Sequence, residues 1–405
     1  MQIQVKPGRA EGIISAPPSK SMAHRLLICA ALSDGVSRIS NIAYSEDILA
    51  TLDCIREMGA ELTVEEDSVT VTGIKRSKVF SGLTFSCRES GSTMRFFMGI
   101  SMLSPGSCTF TGSETLLSRP FRVYEDICRE RGMSFIRRDG EIELDGALTS
   151  GDFTIPGNIS SQFITGLLFV LPLLAGDSTI TLTENVESSS YLDLTVAALS
   201  EFGVKVVRIG DSVLKIPGNQ SYKPRNISVE GDFSNAAFLE VFNLFSGKVS
   251  VRGLSEHSLQ GDRIYREYFK ALQEKNVVLD ISDCPDLGPI LFAAAAVLNG
   301  ALFTGTRRLK MKESDRGTVM CKELASFGVR SKLSENEIRI YPATLTAPTE
   351  PLSGHNDHRI IMSLVTLLTL TGGRISGAEA VRKSFPDYYT KLRELGIEVE
   401  EIGMD

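Results

Sequence analysis

No two of the seven cysteines in this sequence are spaced as CxxC, and an odd set at positions 29, 54, 87, 108, 128, 284 and 321 does not close into a disulfide framework. Neither a zinc knuckle nor a stapled secreted scaffold is signalled, and a reducing cytoplasm fits best. A basic excess is also missing: Lys and Arg total 43 against 50 Asp and Glu, a net charge of −7. General binding to nucleic acid or to an acidic membrane needs a basic face, so neither partner is expected and any basic site has to be local. Long apolar runs are lacking too. The longest, Phe163 to Ala175, contains Gly and Pro and is too short to cross a bilayer, and the opening MQIQVKPGRAEG has no apolar signal core. Neither export nor membrane insertion is expected.

What is present is an ordinary globular composition, 42% hydrophobic and 23% charged over 405 residues, long enough for two or three domains. Within it one design recurs. In PPSKSMAHRLLICAALSDG (17–35) two prolines block backward helix growth, Ser19 is a preferred N-cap, and nothing breaks a helix from Lys20 until Ser33, Asp34 and Gly35. Lys20 and His24 lie one turn apart, as do Ser21 and Arg25, so a hydroxyl and cations gather at a helix start whose dipole favours anions.

Five further stretches share this plan: SGSTMRFFMGISMLSPG (90–106), SSQFITGLLFVLPLLAG (160–176), SNAAFLEVFNLFSG (234–247), PDLGPILFAAAAVLNG (285–300) and DHRIIMSLVTLLTLTGG (357–373). Helices apolar nearly all round belong in a core. The closing glycines at 35, 106, 176, 247, 300 and 373 are separated by 71, 70, 71, 53 and 73 residues. After each comes a β-like segment, then a polar loop and an amphipathic helix, and in most copies two more β-like segments. The repeat reads as βαβαββ, an α/β (α+β) design. Copy four is short, its hairpin cut down to NVVLDISD, and copy six runs out after IEVEEI; the N-terminal IQVKP and GIISA are placed to supply what copy six lacks. This predicts two domains of three repeats each, 19–228 and 1–18 with 229–405, joined by two crossover strands. A solenoid of six layers is disfavoured, since its repeats would be shorter.

The polar clusters fall at matching places. Copy two has Gly91, Ser92 and Arg95 at its helix start and Arg119 before Pro120. Copy three has Ser160, Ser161 and Gln162, with Ser188, Ser189, Ser190 and Tyr191 preceding its second helix. Copy five has Asp286 and then KMKESDR, with Lys312 and Arg316 one turn apart and Glu313 between them; copy six has His358, Arg359 and Lys383. Taken singly, each reads as a solvated charge or a cap. Recurrence in five of six copies points instead to one convergent site if the domains face each other. HNDHR has no companion carboxylate cluster, so no metal is expected, and GSTMR is not a phosphate-binding P-loop.

Taken together, PPSKSMAHR, ESGSTMRF, LLSRPF, SSQF, DCPDLGP, KMKESDR, NDHR and KSFPDY, in order from about 17 to 387, resemble the family of 5-enolpyruvylshikimate-3-phosphate synthases. The resemblance implies an inside-out α/β barrel in each of two domains that close on substrate. It also implies transfer of the enolpyruvyl group of phosphoenolpyruvate to the 5-hydroxyl of shikimate 3-phosphate, releasing phosphate, without metal or organic cofactor, by a monomer of the cytoplasm. Both substrates are multiply anionic, which suits Arg forks and Lys point charges.

By the same resemblance, Lys20, Ser21, Arg25, Ser160, Ser161, Gln162, Ser188, Tyr191, Asp286 and Lys312 hold shikimate 3-phosphate. Lys20, Gly91, Ser92, Arg119, Gln162, Arg316, Arg359 and Lys383 hold phosphoenolpyruvate, Gly91 leaving room for its phosphate. The chemistry needs a base for the hydroxyl, assigned to Asp286 with Lys312, and an acid for the enol methylene, assigned to Glu313, with Lys20 neutralising charge at the reacting centre. Glu89 and Arg308 stand where the family commonly has Asn and are left outside this set. Gly91 is compatible with inhibition by glyphosate. The related transferase acting on UDP-N-acetylglucosamine typically carries a Cys in the loop that here reads GSETLLSRP, and a non-catalytic anion-binding regulator would have lost the acid and base residues that are present.

Overall fold

The computed structural model describes residues 1–75, 77–184 and 186–403. By backbone contacts the chain separates into two compact units, a continuous one, Pro18–Glu230, and a composite one formed by Met1–Pro17 with Gly231–Asp405. Each has its own apolar core.

The central helices are Lys20–Ala31, Gly91–Ser101 and Ser161–Val170 in the continuous unit, and Phe233–Glu240, Gly288–Val297 and His358–Thr371 in the composite one. Their sequences explain their places. In Gly288–Val297 every residue from Gly288 to Ala296 is buried, as an all-apolar helix requires. Five of the six begin at a side-chain cap: Ser19, Ser90, Ser160, Asp232 and Asp357 accept from backbone N–H groups two or three residues on. Polar side chains are thus concentrated at one end of helices whose bodies are buried.

Around these helices the strands form, among the described residues, five four-stranded sheets and one two-stranded sheet. The second repeat shows the pattern. Leu83–Ser86 runs parallel to Ser107–Thr111, which pairs antiparallel with Glu141–Asp145, and that strand with Ser134–Arg138. Phe85 and Phe110 lie opposite in register with rings stacked at 5.2 Å. Asn226–Ser228 provides the parallel first strand of repeat one, beside Val36–Ser40.

Two expectations about the shorter repeats are corrected. NVVLDISD is not the remnant of a hairpin of repeat four: Val278–Asp280 pairs in parallel with Ala301–Thr304 and opens the sheet of repeat five. Of the two N-terminal strands, only Gln2–Val5 completes repeat six, between Gly373–Ser376 and Val399–Ile402. Glu11–Ser15 goes to repeat four, parallel to Lys248–Arg252 in the two-stranded sheet. The second strand buries only Ile14 and leaves Ile13 exposed, so a narrow two-stranded sheet suffices for it.

The closing glycines serve two purposes. Gly106 has φ +136°, a conformation that side chains other than Gly rarely adopt, whereas Gly176 has an ordinary φ but a β-carbon there would lie 2.5 Å from Ser150 Oγ. Closer still to the site, helices Gly91–Ser101 and Ser161–Val170 touch through Gly99 and Gly166, and the Tyr124 hydroxyl donates to the carbonyls of both Arg95 (2.7 Å) and Phe163 (3.2 Å). This contact sets the starts of the two helices side by side.

Candidate active site

In the continuous unit, Lys20 opens its helix and its Nζ donates to Asp47 Oδ2 at 2.7 Å. Asp47 is in the first turn of Glu46–Met58, capped by Ser45. Ser21 is next, and its carbonyl accepts from Arg25 Nη1 (2.6 Å). Arg25 also donates to Thr195 Oγ1 (2.8 Å) and to the Tyr191 carbonyl (3.1 Å), and its guanidinium stacks 5.6 Å from the Phe96 ring centre. Arg25 is therefore a fixed cation that ties the first helix to Ser189–Glu201, and burial brings its pKa down to about 10.

His24, grouped with the cations above, is not one. It is buried, its Nδ1 is 2.7 Å from Thr51 Oγ1, and burial together with the Lys20 and Arg25 charges holds its pKa well below the usual histidine range. It instead ends a polar chain. Thr51 Oγ1 lies 2.8 Å from Thr93 Oγ1, and Thr93 donates to Ser90 Oγ (2.7 Å), joining three helix starts through their interior faces.

At the second and third helix starts, Gln162 is the link. Its Nε2 donates to Ser92 Oγ (2.7 Å) and its Oε1 accepts from Arg95 Nη1 (2.5 Å). Arg95 is buried against the rings of Phe163 and Phe121. Gly91 lies beneath two guanidiniums: an added β-carbon would be 2.7 Å from Arg119 Nη1 and 3.2 Å from Arg95 Nη1. Arg119 Nε is buried and makes no hydrogen bond. Ser160 caps its helix and Ser161 is buried in the first turn. Ser188 is buried at φ +57°, and the helix begins at Ser189, so Tyr191 belongs to its first turn and does not precede it. In this half, Lys20 is paired with the Asp47 carboxylate, whereas Arg25 donates to hydroxyl and carbonyl oxygens and Arg95 to the Gln162 amide.

The composite unit is different in kind. Arg316, 1% exposed, is surrounded by carboxylates: Nε donates to Asp357 Oδ2 (2.9 Å), Nη1 to Asp286 Oδ1 (2.7 Å) and Nη2 to Glu313 Oε2 (2.7 Å). Lys312 Nζ reaches the same Asp286 Oδ1 at 2.9 Å. Lys312 and Arg316 do not share a helical turn. Lys312 is extended, Asp315 caps the helix Arg316–Ala325 by accepting from Thr318 N–H, and the two cations meet through Asp286. Arg359 is buried over the Phe238 ring, with Nη1 3.4 Å from Asn235 Oδ1. Lys383 donates to the Asn356 carbonyl (2.7 Å).

These contacts set the charge states. Burial pushes the Asp286 carboxyl up, but the Lys312, Arg316 and Arg359 charges outweigh it and hold the group well below the usual range. Burial pulls the Lys312 ammonium below the ordinary lysine value, against the pull of Asp286 and with help from Arg316 and Arg308. Burial opposes the Arg316 charge, yet the Asp357, Glu313 and Asp286 carboxylates raise its pKa. A carboxylate held ionised beside a lysine whose pKa burial brings down is a pairing suited to proton transfer.

Every residue of the candidate set in each unit lies at a helix start or in the loop beside one. Four contributors escaped the set. Arg308, set aside as a departure, is buried near enough to Lys312 to act on its charge. In the sequence Asp47 is one acidic residue of a first helical turn among several, and Asp357 and Asn235 are defined only by partners far away in sequence. Glu89 is exposed in the turn ahead of Gly91. No group of three metal-ligating side chains occurs among the described residues, and no helix among them is long and apolar enough to cross a membrane.

A family model described as EPSP synthase (3-phosphoshikimate 1-carboxyvinyltransferase) matches residues 5–392. The 3-phosphoshikimate 1-carboxyvinyltransferase of Clostridium botulinum is 37% identical over 419 residues, covering 97% of each chain. That of Clostridium beijerinckii is 38% identical over 422 residues with the same coverage, and that of Clostridium kluyveri 38% over 430 residues, covering 98% of each. Two solved structures of EPSP synthase from Acinetobacter baumannii share the fold, with TM-scores of 0.79 and 0.80 at 24% and 23% identity. They cover 99% and 100% of this chain and all of their own.

Proposed function

Because the chain belongs to the EPSP synthase family, we propose that it transfers the enolpyruvyl group of phosphoenolpyruvate to the 5-hydroxyl of shikimate 3-phosphate and releases phosphate. The observation that carries the assignment of roles is the meeting of Lys312 and Arg316 on one oxygen of Asp286.

Shikimate 3-phosphate is held by Lys20, Ser21, Arg25, Ser160, Ser161, Gln162, Ser188, Tyr191, Asp286 and Lys312. Phosphoenolpyruvate is held by Lys20, Gly91, Ser92, Arg119, Gln162, Arg316, Arg359 and Lys383. Asp286, kept ionised by its two cations, takes the proton of the 5-hydroxyl as its oxygen attacks C2 of phosphoenolpyruvate. Glu313 gives a proton to C3, closing a tetrahedral adduct. At rest Glu313 is paired with Arg316; when the substrate anion takes over Arg316, that pair is lost and the neighbouring negative charge favours the protonated carboxyl. Glu313, now a carboxylate, then takes a proton back from C3 as the C2–O bond to phosphate breaks, with Lys20 facing the charge that develops, and Asp286 returns its proton to the departing phosphate, leaving the enol ether. Holding two reactants in register contributes about 7 to 11 kcal/mol to such a step.

The test is phosphate release from the two substrates. Phosphate at the background rate, with the protein folded by circular dichroism, would sink the assignment. The working form is a monomer in the cytoplasm, for which light scattering should read the single-chain mass of 44.1 kDa.

A further inference from the structure

The composite unit contains a buried carboxyl that the roles above leave unused. Asp262 lies in the 3₁₀ turn Gly261–Ile264, 4% exposed, and its Oδ1 makes no hydrogen bond. The turn is held firmly. The buried amide of Gln260, just ahead, accepts from Phe233 N–H (2.9 Å) and donates to the Gly231 carbonyl (2.8 Å), fixing the turn to the start of helix Phe233–Glu240. The Ser234 hydroxyl in the first turn of this helix faces Asp262, and Arg359 Nε, buried at the start of His358–Thr371, makes no hydrogen bond.

The charged groups facing Asp262 come from three elements. Asp286 comes from the turn Pro285–Leu287, Asp232 from the cap of Phe233–Glu240, and Arg359 from His358–Thr371; the Cys284 thiol is also near. Two carboxylates and one cation surround it, and that cation's Nη1 is turned toward Asn235. A buried carboxylate with an unfilled oxygen in such company is costly, and the neutral acid is the cheaper form. Burial and then the Asp286 charge push its pKa up to about 7, with the Ser234 hydroxyl and then Arg359 pulling the other way. Asp286 and Asp262 are thus driven apart, one held ionised through the neutral range and the other balanced near neutrality.

We propose that Asp262 is a positioning residue that takes up one proton when the anionic substrate docks on Arg359, so that a neutral carboxyl rather than a carboxylate lies beside the bound anion. The proposal rests on the assignment of Arg359 to phosphoenolpyruvate. While ionised, Asp262 partly neutralises Arg359 and repels the incoming anion. Once protonated, it leaves the whole Arg359 charge to the substrate. The proton comes from solvent and returns to it when phosphate leaves, and no other bond changes.

The experiment compares wild-type protein with Asp262→Asn at saturating shikimate 3-phosphate from pH 6 to 8.5. Ionisation of the substrates affects both proteins alike, so the informative quantity is the ratio of their KM values for phosphoenolpyruvate. That ratio should rise above pH 7 by up to about tenfold per pH unit, the limit for one coupled proton, while the kcat ratio stays level. A KM ratio constant with pH overturns the proposal. Independently of turnover, the ¹³C carboxyl resonance of Asp262 should titrate near 7 and move to higher pH when both substrates are added. It is assigned by its loss in Asp262→Asn, or by its shift in Asp262→Glu if the first variant fails to fold. A resonance that titrates near 4, or that ignores the substrates, overturns the proposal. Absence of phosphate release by the wild-type chain would instead overturn the functional reading.

Discussion

Gly99 and Gly166 are packed so closely that a β-carbon on Gly99 would lie 2.5 Å from the Gly166 carbonyl oxygen. Backbone, not a yielding side chain, occupies that space, so the two helices must part to admit a methyl group. Their starts carry Ser92 and Gln162, hydrogen-bonded at 2.7 Å, and a shift at the crossing is felt there. Gly99→Ala gains roughly 1 kcal/mol of helix propensity but incurs an overpacking cost of about 3 kcal/mol. A net loss of about 2 kcal/mol should appear in the urea midpoint, together with a raised KM for phosphoenolpyruvate. Wild-type stability and KM would show that the contact does not set the geometry of the helix starts.

The Lys20–Asp47 pair separates stability from catalysis. Both side chains are largely shielded, 15% and 12% exposed, and their atoms are 2.7 Å apart. Lys20→Met leaves the Asp47 carboxylate short of its cation, at a cost of about 1–3 kcal/mol. Adding Asp47→Asn removes the stranded charge, so the double variant should regain most of the stability while phosphate release stays down by at least about 100-fold, the low end for groups acting on the reacting centre. Recovery of activity in the double variant would remove Lys20 from the mechanism.

The central helices and their capped starts were legible because the signal is local: an apolar run, a cap residue, a closing glycine. The destination of Glu11–Ser15 was not, since a strand with one buried side chain carries little to distinguish one partner from another. Lys312 and Arg316 show a signal that was present and misjudged. Four-residue spacing suggested a shared turn, but Asp315 is itself a cap residue, and a cap marks the point before which the chain is not helical. Asp47 and Asp262 were beyond reach for another reason. A carboxyl's role depends on burial and on which charges face it, and those charges come from elements that only the fold brings near.

Asp286 should show its charge state in the pH dependence of stability. Its pKa in the folded chain is well below the unfolded value of about 3.9, so its stabilisation is complete above that value and disappears as pH falls through the folded pKa. In an Asp262→Asn background, which removes the neighbour that titrates near 7, the chain should therefore lose stability relative to its Asp286→Asn derivative only on acidification below about pH 4. The difference should be level between pH 5 and 8. In activity, Asp286→Asn alone should be down by at least about 100-fold across the neutral range, without an acid limb of its own. A stability difference that changes near neutrality would mean that Asp286 is not held ionised.

Lys312 gives the complementary alkaline prediction. Its pKa in the folded chain is below the ordinary lysine value of about 10.4, and the charged form is what holds Asp286 at 2.9 Å. As pH rises through the folded pKa the ammonium is lost, the pair with Asp286 weakens, and kcat/KM should decline while circular dichroism still reports a folded chain. Lys312→Arg keeps a cation that does not titrate in this range. Its activity should be lower at pH 7, because a planar fork replaces a point charge, but the alkaline decline should be absent up to pH 10. Equal alkaline declines in the two proteins would place the titrating group elsewhere and leave Lys312 a fixed charge.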